Sequence, residues 1–239
     1  MTSCIIIKKG LNEIEMAAND NREINIYAYT DGSCYGNAGK QKDRKCGYGI
    51  YYEQPNELGL TKSMGKIEKN MSNSRSELMS LLVCLEEVLN STIGTGYTVN
   101  LHVYIDSMYA LNSADKWIYK WEKENYKDRA HQDILRSLYD VINRINGGYA
   151  MNVEYIKVKA HKSAPRDKES EEYRLWYGND RADNLAKYGA TRQNTNEHSG
   201  FMNNTIKSLI SNCEDDILQE LDSGIIESKK ELSELMKMI

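Results

Sequence analysis

No stretch of the 239 residues approaches the ~20 consecutive apolar positions that a membrane-spanning helix requires. The opening run Cys4-Ile5-Ile6-Ile7 is also too short for a secretory signal, so an intracellular setting is expected: cytoplasmic, or nuclear or organellar in a eukaryote. The five cysteines, Cys4, Cys34, Cys46, Cys84 and Cys213, are odd in number and show no C-x-x-C spacing. Neither a disulfide framework nor a zinc site is indicated, and all five are read as reduced thiols. No internal repeat is visible. An excess of positive charge is missing as well, the net charge being -4, but its distribution matters more than its sum. Residues 192–239 carry five basic and nine acidic groups, which leaves 26 of each sign in residues 1–191.

What is present fits a globular chain with one main core, since 40% of residues are apolar and 28% charged. Residues 24–30 alternate apolar with polar in a β-branched and aromatic strand that Asp31-Gly32 ends. Residues 47–53 and 58–67 read as two more strands around the turn Gln54-Pro55-Asn56-Glu57. From Ser74 the period becomes helical, with Leu78, Leu81, Leu82, Leu85 and Val88 on one stripe. A strand over 99–105, helical stretches over 107–121 and 129–145, and a strand over 153–158 follow. A polar loop over 162–178 then leads to a last helix over 179–190. Strands first, then alternating helix and strand, predict an α/β fold with a mixed sheet flanked by helices. The division expected is an N-terminal extension (1–21), a main domain (22–191) and an acidic C-terminal extension (192–239). Two amphipathic segments in that extension are expected to form helices, packed back on the domain or on a protein partner.

Four acidic residues stand out by position, although each has an ordinary local explanation. Asp31 could serve the turn at Gly32, and Glu77, three residues after Ser74, could complete a capping box. Asp106 could cap the helix after its strand, and Asp183 could face solvent near the positive end of the last helix. Together they imply more. If the strands ending at Asp31 and Asp106 are neighbours, helices starting at the same sheet edge bring Glu77 and Asp183 to one place. Four crowded carboxylates repel one another unless cations neutralise them, and an all-oxygen set favours Mg²⁺ or Mn²⁺ over zinc.

Tyr29-Thr30-Asp31-Gly32-Ser33-Cys34, Asn73-Ser74-Arg75-Ser76-Glu77, Tyr104-Ile105-Asp106-Ser107, Val158-Lys159-Ala160-His161 and Asn179-Asp180-Arg181-Ala182-Asp183-Asn184 occur in this order. This series resembles the successive motifs of type I ribonuclease H and covers about residues 24–190. The resemblance implies a ribonuclease H-like fold with a five-stranded mixed sheet. It also implies two Mg²⁺ ions, replaceable by Mn²⁺, on Asp31, Glu77, Asp106 and Asp183, with His161 assisting turnover from a loop. The implied activity is endonucleolytic cleavage of the RNA strand of an RNA·DNA hybrid, giving 5′-phosphate and 3′-hydroxyl ends. Cys34, Asn37, Asn73 and Ser74 match family positions that touch the hybrid, and Ser72 is a candidate contact to a phosphate of the DNA strand. The basic, aromatic stretch 117–127, beginning at Trp117, resembles the family's substrate handle, diluted here by Glu122 and Glu124. Departures are Met108 in place of a polar residue, a basic lengthening over 39–46 and an enlarged loop over 162–177. Two rival readings stay open: another nuclease or strand-transfer enzyme on the same fold, and a catalytically silent hybrid-binding or protein-binding module.

Overall fold

A computed structural model describes residues 22–36, 44–68, 70–159 and 163–191. Both extensions, Asn37 and His161 lie outside the described residues. The sheet is built from β1 (Arg22–Tyr35), β2 (Lys45–Tyr52), β3 (Lys62–Ile67), β4 (Tyr97–Ile105) and β5 (Met151–Lys157), in the order β3-β2-β1-β4-β5. β1, β2 and β3 form an antiparallel meander, whereas β4 and β5 run parallel to β1. The helices are α1 (Asn73–Thr92), α2 (Met108–Asn112), α3 (Ile118–Lys123), α4 (Gln132–Asn146) and α5 (Glu171–Thr191).

The period-2 pattern of β1 sorts its side chains between two layers. Ile24, Ile26 and Ala28 enter the core beneath α1, while Tyr29 packs with Tyr104, Val158 and Ala182 on the α5 side. α1 is buried around most of its circumference, because the sheet covers one side and α4 the other. Leu78, Leu81, Leu82 and Leu85 join Leu135 and Leu138 there, each such burial contributing roughly 1.5–3 kcal/mol. Ion pairs fasten the two helices: Arg75 makes two hydrogen bonds to Asp133, of 2.9 and 2.7 Å, and Arg144 pairs with Glu86 at 2.9 Å.

Several boundaries depart from the local sequence pattern. β1 passes Asp31 and runs on to Tyr35, because β2 still pairs with it after pairing with β4 ends at Thr30↔Ile105. β3 starts only at Lys62, since Asn56 closes the preceding turn by hydrogen bonds to the backbone of Glu53 and Leu60. The helical stretch after Ser107 is divided by a π turn over Ser113–Trp117. α5 begins at Glu171, so residues 171–177 are helical and not loop. Its early turns pack Leu175 against the Tyr29 cluster, an apolar anchor that the charged residues around it conceal in the sequence.

Cys34 and Cys46 correct the reading of all cysteines as reduced thiols. They stand directly opposite in the β1–β2 ladder, 12 residues apart in the chain, and form a disulfide. Antiparallel register brings opposed Cβ atoms close enough to be bridged, a proximity that C-x-x-C spacing does not test. Cys84 is a free, buried thiol.

Candidate active site

Asp31 lies where β1 leaves β4, and Asp106 directly follows the last residue of β4. The parallel pairing of Thr30 with Ile105 therefore sets these two acids side by side at the carboxyl end of the central strands, where open α/β sheets place ligands. Two helices close on the same point because glycine leaves room for them. A Cβ on Gly32 would fall inside the backbone of Ser76 and Glu77, so α1 rests against β1 just where Glu77 emerges. On the opposite face, a Cβ on Gly49 would strike the backbone of Ala182 and Ala186 in α5. Gly49 pairs with Asp31 across the ladder, and this close approach brings Asp183 over the site.

Electrostatics report the convergence. Asp31 is only 7% exposed, and its carboxyl is pushed up to about 9. Burial is the largest cause, followed by the negative fields of Asp106 and Asp183, with Glu77 adding a smaller push. The Gly32 amide opposes this by donating to Asp31 Oδ1 at 2.7 Å. Glu77 is also raised, chiefly by burial, while donors from Ser107 and Asn73 hold it down. Asn73 Nδ2 donates to Glu77 Oε1 at 2.6 Å, and Ser107 Oγ donates to Glu77 Oε2. Lys187 Nζ lies 2.5 Å from Asp183 Oδ2, and Lys157 Nζ donates to the carbonyl oxygens of Asp106 and Val158 at 2.6 and 2.5 Å. Among the described residues, no three acidic, histidine or cysteine side chains form a ready-made metal-gripping group. The four acids nonetheless share one field, since Asp106, Asp183 and Glu77 all act on Asp31. Their buried excess of negative charge and purely oxygen donors fit a hard divalent cation.

The local roles given to these acids by sequence change. Ser72, not Ser74, caps α1, accepting from the Arg75 amide at 3.1 Å, so Ser74 and Glu77 form no capping box. Ser107, not Asp106, caps α2, accepting from the Ala110 amide at 3.2 Å. Asp183 sits in the middle of α5, beyond the influence of the helix terminus, because the helix begins two turns earlier than its pattern indicated.

The candidate substrate contacts are placed as follows. Asn73 and Ser74 occupy the first turn of α1 beside Glu77, and Cys34 is half-buried with its sulfur bound to Cys46. Ser72 Oγ lies 3.0 Å from His131 Nε2, in a shallow cavity of about 460 Å³ that Arg44, Asn70 and Arg129 also line. Arg44 reaches back to the Met71 carbonyl at 2.7 Å, so this residue of the basic 39–46 stretch is structural as well as charged. Trp117 is part-exposed, 5.3 Å from the Trp121 ring, and the Arg129 guanidinium lies 5.1 Å above Trp121. Met108 is exposed. Lys187, Arg129 and His131 were missed by sequence reasoning, whereas Arg44 entered it only within the basic 39–46 stretch and Ser107 only within the motif around Asp106. Only Lys187 left a usable signal there, its spacing of four from Asp183 on a helix.

Residues 23–191 match the family model described as RNase H. Human Ribonuclease H1 is 25% identical over 168 residues, 69% of this chain and 50% of the relative. Ribonuclease H of Novosphingobium aromaticivorans is 30% identical over 147 residues, 59% of this chain and 88% of the relative. The chain thus spans about half the length of the human relative and most of the bacterial one. Among solved structures, LC9-RNase H1, described as a type 1 RNase H with the type 2 active-site motif, superposes with a TM-score of 0.52. It is 21% identical, and the match covers 80% of this chain and 82% of that one. The prototype foamy virus protease-reverse transcriptase gives a TM-score of 0.54 at 20% identity, over 71% of this chain and 21% of that one. At these identities the structural likeness establishes the fold alone. No helix among the described residues is long and apolar enough to cross a membrane.

Proposed function

This chain belongs to the ribonuclease H family, and from that premise we propose that it cuts the RNA strand of RNA·DNA hybrids internally, with divalent metal ions held by Asp31, Glu77, Asp106 and Asp183. The observation that carries this reading is the raised carboxyl of Asp31, buried among three other acids at the end of the central strands. A site with that excess of negative charge has use for cations and none for an acidic ligand.

When bound, a pair of Mg²⁺ or Mn²⁺ ions supplies an activated water and stabilises the leaving oxygen, giving 5′-phosphate and 3′-hydroxyl products. The chain's own residues fix the donors. Ser107 and Asn73 orient the two oxygens of Glu77, the Gly32 amide orients Asp31, and Lys157 ties β5 to the Asp106 backbone. Choice of RNA requires sensing of 2′-hydroxyl groups. Asn73 and Ser74 are positioned for that beside Glu77, and Cys34, its thiol taken by Cys46, offers backbone groups. The cavity at Ser72, with Arg44 and Arg129 at its wall, has the charge to seat a phosphate of the DNA strand. Trp117 with Lys116, Lys120 and Lys123 forms an exposed handle for the same strand, and its grip weakens with salt.

Incubation with Mg²⁺ and end-labelled RNA·DNA hybrid, duplex RNA or duplex DNA tests the proposal. Cleavage is expected only in the RNA strand of the hybrid and is lost in Asp31→Asn. Efficient cutting of duplex DNA would refute it in favour of a different nuclease, and binding without cutting would leave a silent module.

A further inference from the structure

The carboxylate cluster already has a cation in contact with it. Lys187 follows Asp183 by one turn of α5, and its Nζ lies 2.5 Å from Asp183 Oδ2. Lys157, another lysine near the site, is committed to the backbone carbonyls of Asp106 and Val158. Asp183 is mostly covered, at 16% side-chain exposure, whereas Lys187 is 43% exposed and can swing into water on its flexible stem.

An oxygen in direct contact with an ammonium cannot also coordinate a divalent ion without pressing two cations together. We propose that Lys187 is an internal stand-in for metal: it neutralises Asp183 in the metal-free protein and competes with the divalent ion for Oδ2. The inference rests on the reading of the four acids as metal ligands. Metal loading and the Lys187–Asp183 pair then exclude one another, and the lysine lowers metal affinity while protecting the empty site from its own repulsion.

Calorimetric titration of the full chain with MgCl₂, beside thermal melts with and without Mg²⁺, tests this. Lys187→Met is expected to bind Mg²⁺ about fivefold more tightly, the scale of losing one partly exposed competing ion pair. Its metal-free melting temperature should fall, and the stabilisation gained on adding Mg²⁺ should exceed that of the wild type. Lys187→Arg keeps the charge and should bind Mg²⁺ within about twofold of the wild type. Lys66→Met removes an equal charge from β3, two strands away from β1, where Lys66 pairs with Glu68, and should leave affinity unchanged. Equal or weaker Mg²⁺ binding by Lys187→Met, or an equal gain in Lys66→Met, overturns the competition. A wild type that takes up no Mg²⁺ even with hybrid present overturns the metal reading itself, a result distinct from the other two.

Discussion

Ser107 joins the two halves of the site: its hydroxyl oxygen caps α2 by accepting from the Ala110 amide, and its hydrogen is donated to Glu77 of α1. One side chain thus sets both the direction in which the chain leaves Asp106 and the orientation of the acid facing it. Ser107→Ala is expected to lower stability by about 1 kcal/mol through the lost cap. It also removes a donor that holds the Glu77 carboxyl down, so that carboxyl rises and the acid limb of the cleavage–pH profile moves to higher pH. Denaturant unfolding and a pH–rate series separate the two effects. A variant with an unmoved acid limb would show that Ser107 serves the helix alone.

Asp31 makes the metal-free protein sensitive to alkali. Its carboxyl titrates at about 9 in the fold against an ordinary value of 3.8, so between these values the folded state keeps a proton that the unfolded state has lost. Stability must therefore fall as pH rises through that window. Asp31→Asn carries no charge to be buried and should be the more stable protein at pH 8 without metal, by about a few kcal/mol, with the difference vanishing near pH 4. Added Mg²⁺ should stabilise the wild type more than the variant. Thermal melts across pH, with EDTA or Mg²⁺, check the sign, and a wild type that gains stability between pH 5 and 8 contradicts it.

Gly49 tests whether site geometry depends on the close approach of sheet and helix. A Cβ there meets the backbone of Ala182 and Ala186, which no rotamer change can relieve. Gly49→Ala should cost about 3 kcal/mol by overpacking and lift α5 away from Asp31, taking Asp183 with it. Cleavage should fall further than stability explains at a temperature where the variant remains folded. Activity near that of the wild type would mean that Asp183 is placed by other contacts.

Local pattern was sufficient for most elements because strand alternation and the α1 stripe are written in consecutive residues. Glu171 to Tyr177 were not legible as helix: Leu175 packs against Tyr29 and Tyr104, more than 60 positions away in the chain, and the charged residues beside it mask that face. The same limit explains the caps, since several serines near each helix start satisfy the local rule, and only the packed backbone selects Ser72 and Ser107.

The sequence by itself determined which acids are candidates, which strands and helices carry them, and that their all-oxygen chemistry favours a hard cation over zinc, because ligand chemistry and periodicity are properties of residue type and spacing. Tertiary structure alone decided that Cys34 meets Cys46, that Ser107 reaches Glu77, and that glycines let two helices press Glu77 and Asp183 towards the Asp31–Asp106 pair. These are contacts between distant segments. Their formation depends on register and interlayer distance, which exist only once the sheet and its helices have packed.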